Sequence, residues 1–193
     1  MPVVFLESER LWYRPFELDD VPLVTTWIND PRIRRFLDQR VFPLSMESER
    51  DFIKHITVSP GGGPPTDLAL LFGPRGESMP IGSTGLHKIN WVDRNAEWGI
   101  LIGDPANWNK GYGREAARRM LRYAFEELSL HRVQLRVNVS NPAGIKAYEA
   151  AGFVREGILR QAAFVEGEAQ DALLMAALRP EWLASNARVT TIV

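Results

Sequence analysis

The chain has 193 residues, 45% hydrophobic and 24% charged, which suits one globular domain with a sizeable core. A formal net charge of -1 leaves no global basic field for nucleic acid or an anionic membrane. The absence of cysteine removes disulfides, thiolate zinc sites and a cysteine nucleophile, and it fits a reducing cytoplasm.

The N-terminal MPVVFLESERLWYRPF has no basic segment followed by an apolar run, so it does not read as a signal peptide. No apolar stretch is long enough to span a bilayer. The expectation is a cytoplasmic protein without a membrane or direct nucleic-acid partner. Asn138-Val139-Ser140 matches a glycosylation sequon by chance.

RLWYRPF (Arg10–Phe16) reads as a first strand. DDVPLVTTWIND follows as a helix, with Asp19 or Asp20 as its cap and an end near Asp30-Pro31. PLSMESERDFIKHITV predicts a second helix, capped by Ser45, with Phe52, Ile53 and Ile56 on one face. SPGGGPPT (Ser59–Thr66) is a loop. Three strands follow: DLALLF (67–72), IGSTGLHKIN (81–90) and AEWGILIG (96–103).

A helix runs from about Gly113 to Leu128. Ala117, Met120, Leu121, Ala124, Phe125 and Leu128 recur at three- and four-residue spacing. VQLRVNV (133–139) alternates, with Val133, Leu135, Val137 and Val139 on one face. PAGIKAYEAAG predicts a short helix opened by Pro142 and closed by Gly152. FVREGILR and AQDALLMAAL are two last strands, and the pattern weakens after Trp182. We read residues 1–193 as one α/β domain, with a core over about 10–180 and a tail at 184–193.

Three constellations carry chemistry. The first is WNKGYGREA, Trp108 to Ala116, where a Gly-x-Gly turn enters a long helix. A helix N-terminus exposes unpartnered amides and partial positive charge, and glycine lets an anion come close. Lys110 and Arg114 add cations where the helix dipole disfavours them, which is mild evidence for an anionic ligand, whereas the glycine spacing alone suits a mere turn better. The turn is neither a P-loop nor a Rossmann fingerprint, because position 116 is Ala and no Gly-Lys-Ser/Thr is present. The second is NVSNPAGIKAYEAAGFVREG, in which Asn141 and Pro142 open the short helix and Tyr148 lies on it. By itself Tyr148 suits a core aromatic equally well. The third is Glu97, at the start of the strand leading to the glycine turn, where a solvated side chain is the ordinary outcome.

Their order and spacing resemble the GCN5-related N-acetyltransferases (GNAT), from about Ala96 to Leu178, and within them the RimJ/RimL branch, which acetylates N-terminal amines of ribosomal proteins. The resembling strings are AEWGILIG, WNKGYGREA, YAFEELSLHRVQLRVNVSNPAGIKAYEAAGFVREG and DALLMAAL. The opening RLWYRPFELDDVPLVTTWINDPRIRRFL fits the family's first strand and helices. The resemblance implies a mixed, mostly antiparallel sheet flanked by helices. It implies an acetyl-CoA site between two central splayed parallel strands, Trp98–Ile102 and Val133–Val139. In the family the loop follows Q/R-x-x-G-x-G/A. Gly111 and Gly113 match, and Trp108 departs at the Q/R position.

By the same resemblance Asn109, Lys110, Gly111, Tyr112, Gly113 and Arg114 hold phosphate. Asn141 and Ala143 meet the CoA arm, and Tyr148 lies near the thioester sulfur. Acetyl-CoA is then a co-substrate and no metal is implied. An amide of Ile100, Leu101 or Ile102 would receive the carbonyl oxygen, Tyr148 would protonate the thiolate, and Glu97 would take the ammonium proton.

His87 is a weaker alternative base on a strand lining the acceptor cleft, and His131 reads as structural. His55, His87 and His131 lack metal-ligand spacing. Acceptor contacts fall to Arg35, Phe36 and His87. If Arg32, Arg34, Arg35 and Arg40 face the cleft they disfavour a polycation, and Asp38 alone does little to offset them. The acceptor read first is a protein N-terminus. A small-molecule amine (polyamine, antibiotic or peptide toxin) is second, and a homodimer is left open. A CoA-binding regulatory module without chemistry is the reading from another class. The presence of both Tyr148 and Glu97 argues against it.

Overall fold

The computed structural model describes residues 3–37, 42–57 and 63–190. Their strands form one eight-stranded sheet. These are β1 (Leu6–Glu7), β2 (Leu11–Pro15), β3 (Leu68–Pro74), β4 (Gly82–Asn90), β5 (Asn95–Ile102), β6 (Arg132–Asn138), β7 (Val154–Val165) and β8 (Glu168–Leu178). The spatial order is β1-β2-β3-β4-β5-β6-β8-β7. All neighbours are antiparallel except β5 and β6. That exception follows from the connection: β5 and β6 are joined through the helix α4 (Tyr112–Arg122), and a crossover of that length returns the chain parallel. β5 and β6 pair only from Asn95 to Glu97 against Arg132 to Gln134, and beyond Glu97 the pairing stops. The mixed α/β class expected from sequence is the one observed.

Helices cover both faces. On one side α4 and α5 (Pro142–Ala151) pack over the larger core, which holds Met120, Leu121, Phe125, Leu135 and Met175. On the other, α1 (Val21–Asn29), α2 (Pro31–Arg34) and α3 (Met46–Thr57) enclose a smaller core of Phe16, Val24, Trp27, Ile33, Ile53 and Leu71. Most of the spacing expected for the long helix is buried as read: Ala117, Met120, Leu121, Ala124 and Phe125 are all at most 1% exposed, while Leu128, just past the helix, is only partly buried. Truncating Met120 to Ala there would cost roughly 2–5 kcal/mol.

Several local expectations differ. Asp20 stands at the start of α1 but does not cap it. Its carboxylate takes two 2.7 Å bonds from the buried Arg14 guanidinium, because a desolvated cation needs a counter-charge more than a helix end needs a cap. Ser45 does cap α3, accepting from Ser48 N at 3.1 Å, but Phe52 turns to solvent while Ile53 is buried. Val139 falls past the end of β6 and is exposed. The long helix widens into a π turn over Tyr123–Glu127, and Arg179 Nε binds the Phe125 carbonyl at 2.9 Å. β7 runs on to Val165, and Glu166 and Gly167, both at positive φ, turn it into β8. The weakly patterned end is helix α6 (Arg179–Thr190), with Trp182 set against Phe125 at 5.7 Å between ring centres. No helix among the described residues is long and apolar enough to cross a membrane.

Candidate active site

Where β5 and β6 part, the sheet opens into a cleft of about 1240 Å³. Backbone amides and carbonyls that a neighbouring strand would have satisfied face this gap. Ile100, Leu101 and Ile102 line it from β5, and Gln134, Arg136 and Asn138 from β6. The alternation in β6 sends Val133, Leu135 and Val137 into the larger core. Its polar positions therefore sit on the opposite face, beside Glu97.

The entrance to α4 forms one wall, with Asn109, Lys110, Gly111, Tyr112, Gly113 and Arg114 all lining the cleft. Asn109 and Gly111 both adopt the left-handed conformation, φ 60° and 82°. Gly111 is the first flanking residue of the helix, and no side chain caps it. The amides of the first turn are thus open to an anion. The Arg114 side chain makes no ion pair or hydrogen bond among the described residues, and Lys110 Nζ reaches Asn107 at 3.3 Å. Lys146, from α5, lines the same space. An uncapped glycine entrance facing exposed cations fits the diphosphate of CoA.

Two residues brace this turn. Arg10 donates to the Lys110 carbonyl at 3.1 Å and to Glu115 at 2.7 Å, and its guanidinium lies 4.9 Å from the Tyr112 ring centre. Trp108, the departure from the family pattern, donates Nε1 to the Ile102 carbonyl at 3.1 Å and so ties the turn to the end of β5.

The opposite wall is α5. Asn141 and Ala143 line the cleft, but the Asn141 carboxamide also has a local duty. Its Oδ1 accepts from Gly144 N at 2.9 Å and caps the helix. Tyr148 projects into the cleft from the next turns. Its ring packs edge-on against Trp98 at 5.3 Å, and its hydroxyl takes no hydrogen bond among the described residues. Burial pushes that hydroxyl up to about 12 from its ordinary 10.0. It therefore stays protonated and can donate to an anion that forms beside it.

The acceptor side carries Glu97, His87, Arg35 and Phe36, all on the cleft wall. Glu97 holds Lys88 Nζ at 2.9 Å. Phe36 stands edge-on to Trp108 at 6.1 Å, with the Arg35 guanidinium 4.7 Å from the Phe36 ring centre. Arg32 is drawn away by Asp30 at 2.6 Å, and Arg34 does not line the cleft. Asp38, Arg40 and the start of the Ser59–Thr66 loop lie outside the described residues. His131 is exposed, with its backbone N donating to the Arg94 carbonyl at 2.6 Å.

Sequence reading did not single out Lys88, Gly99, Gln134, Arg136, Asn138 and Lys146, which also line the cleft. The period-two pattern signalled that Gln134, Arg136 and Asn138 share a face. It could not signal that this face looks into a gap.

A family model described as "Acetyltransferase (GNAT) domain" matches residues 10–154. The chain belongs to the GNAT acetyltransferase family. This GNAT chain is accordingly an acetyl-CoA-dependent N-acetyltransferase, the reaction expected from sequence. It is 40% identical over 103 residues to a spermidine N(1)-acetyltransferase of Vibrio cholerae, an alignment spanning 53% of this chain and 59% of that one. It is 28% identical over 173 residues to the spermidine N(1)-acetyltransferase of Escherichia coli, covering 90% of this chain and 88% of the relative. A solved structure of the Vibrio cholerae spermidine N-acetyltransferase, in complex with CoA and spermine, superposes with a TM-score of 0.81 at 27% identity. It covers 91% of this chain and 99% of that one. These relatives support the superfamily read from sequence. For the branch, they are spermidine N-acetyltransferases and lend the RimJ/RimL reading no direct support.

Proposed function

We propose that the acceptor is a small-molecule primary amine, with polyamines the first class to test. The observation that carries this reading is the likeness, over nearly the whole fold, to an enzyme bound to CoA and spermine. It replaces the protein N-terminus as the leading acceptor.

The assignments then follow the walls of the cleft. The amides of Gly111 to Arg114, with Lys110 and Arg114, bind the diphosphate. Asn141 and Ala143 border the pantetheine arm. A backbone amide of Ile100–Ile102 donates to the carbonyl oxygen as charge gathers there. Tyr148 donates a hydrogen bond to the departing sulfur. Glu97, at the point where the strands part, draws in the ammonium. Bringing both reactants into one cleft removes much of the entropic barrier by itself.

The test is CoA release with spermidine, spermine, N-terminal peptides and aminoglycosides. Polyamines should give the highest kcat/KM. Preference for a peptide N-terminus would reverse the assignment, and no turnover with any amine would support a binding module instead. One observation favours a less cationic amine. Arg35, Lys88 and Arg136 line the cleft with Glu97, and they repel the distal charges of a polyamine. On that second reading a monoamine outperforms spermine in the same assay.

A further inference from the structure

We propose that His87, held by Asp67, is the base that takes the proton from the acceptor ammonium. The inference rests on the acetyl-transfer reading above but not on which amine is the acceptor.

Four polar side chains cross the sheet in one row. Asp67 immediately precedes β3, where Leu68 pairs with Leu86, so it falls beside His87 of β4. His87 pairs with Glu97 of β5, and Glu97 pairs with Gln134 of β6. That last pair is where the parallel strands part, so the row ends at the mouth of the cleft.

Within the row, His87 Nδ1 lies 3.2 Å from Asp67 Oδ1, and Thr66 Oγ1 donates to the other Asp67 oxygen at 3.0 Å. A carboxylate can only accept, so the imidazole proton sits on Nδ1 and Nε2 keeps its lone pair. The two side chains are 34% and 26% exposed, so the bond is sheltered but the ring is reachable.

The residue opposite the ring edge is Gly99. A Cβ there would lie 3.5 Å from His87 Nε2 and cover it. Glycine leaves that nitrogen open to the cleft that both residues line. A β-bulge between His87 and Asn90, with Lys88 at φ 49°, lets Lys88 reach Glu97. Glu97 thus has an oxygen occupied by a cation, whereas His87 Nε2 has no hydrogen-bond partner among the described residues. The charged groups around the imidazole are Asp67, Glu97 and Lys88 from its own sheet, with Arg35 and Arg136 on the same cleft.

The proton balance closes. The acceptor enters as an alkylammonium and gives one proton to His87 Nε2. The freed nitrogen pair bonds the thioester carbonyl carbon and the C–S bond breaks. The second nitrogen proton ends on the thiolate, which Tyr148 has steadied by hydrogen bonding. The products are the acetamide, CoA thiol and an imidazolium that returns its proton to solvent. His87 is the catalytic residue, and Asp67 is a positioning residue acting through it.

Three variants test this on whichever amine the wild-type enzyme turns over fastest, so acceptor identity and base assignment can fail separately. His87→Gln should lower kcat/KM by about a hundredfold near neutral pH, the general scale for a positioned base. That deficit should shrink as pH rises toward roughly 10, where an alkylamine arrives already neutral. Asp67→Asn keeps a hydrogen bond but donates to Nδ1, which moves the ring proton to Nε2. It should lose activity with the same pH signature, while CoA affinity measured by calorimetry stays at the wild-type value. A deficit that is constant with pH, or a Glu97→Gln variant that alone removes the acidic limb, would overturn the assignment.

Discussion

Two helix entrances face the same cleft and are built oppositely. α4 begins at a left-handed glycine with no side chain over its amides, and α5 begins at an asparagine that caps its own first turn. A helix end without a side-chain cap is normally a small defect, costing a few tenths of a kcal/mol when glycine holds the position. Here the defect coincides with exposed cations and a gap in the sheet, which is where an incoming diphosphate can complete the cap. The capped helix keeps its amides to itself and presents a side chain, Tyr148, to the reacting centre. One entrance binds and the other reacts.

The largest effect should come from spoiling the open entrance. Gly111→Val places a branched residue at φ 82° and disturbs the amides. Loss of two charge-assisted hydrogen bonds, each worth roughly 1.5–3 kcal/mol, raises Kd for CoA by about a hundredfold or more. Calorimetric titration checks this, and near-native affinity in a folded variant would move the phosphate site elsewhere.

Next is the reacting residue of the other helix. Tyr148→Phe keeps the ring contacts with Trp98 and removes only the hydroxyl. It should lower kcat by about tenfold to a hundredfold, the worth of one hydrogen bond to a charged group, and leave Kd for CoA unchanged. The raised Tyr148 value has a sign for stability as well. The native state holds this proton more tightly than the unfolded chain, so its contribution is complete below pH 10.0. It is lost as pH rises toward about 12. Denaturant midpoints of the wild-type and Phe enzymes, followed through that window, should diverge on the alkaline side, with the wild type falling.

A smaller and more diagnostic change is Gly113→Asp. Position 113 has room for a side chain, with the nearest atom to a new Cβ at 3.8 Å. A carboxylate in the first turn of α4 should stabilise the fold by about 0.3–1 kcal/mol through the helix dipole while opposing the diphosphate. Tm should rise as CoA affinity falls by about tenfold. A rise in Tm with unchanged CoA affinity would show that the entrance is merely structural.

The smallest effect on binding should come from the capped entrance. Asn141→Ala removes the bond to Gly144 N and should cost about 1 kcal/mol of stability, read from denaturant midpoints. Kd for CoA should change by less than about threefold. A larger loss would mean that the Asn141 carboxamide meets the ligand as well as the helix.

Much of the cleft was legible before the fold. Asn109 to Arg114, Asn141 and Tyr148 are marked by glycine spacing, by a capping residue and by family resemblance, and all of them line the cleft. The acceptor side was only partly legible. Arg32 and Arg35 look equivalent in sequence, yet Asp30 takes Arg32 away while Arg35 lies over Phe36 in the cleft. Asp67 gave no signal at all, since its meaning depends on the register of β3 against β4.

The sequence by itself determined the elements, because periodicity, caps and glycines act within a few residues of where they stand. It determined the apolar face of α4, the limits of α5 and the uncapped turn at Gly111. Only the tertiary structure decided what those elements enclose. The crossover through α4 makes β5 and β6 parallel, and their pairing stops at Glu97. That register sets the cleft beside Tyr148 and puts Gln134 beside Glu97, while the registers of β3 on β4 and β4 on β5 bring Asp67, His87 and Glu97 into the same row. A burial contest likewise turned Asp20 from cap to counter-ion for Arg14. Such outcomes depend on groups far apart in the chain competing for the same desolvated space, and no local pattern records them.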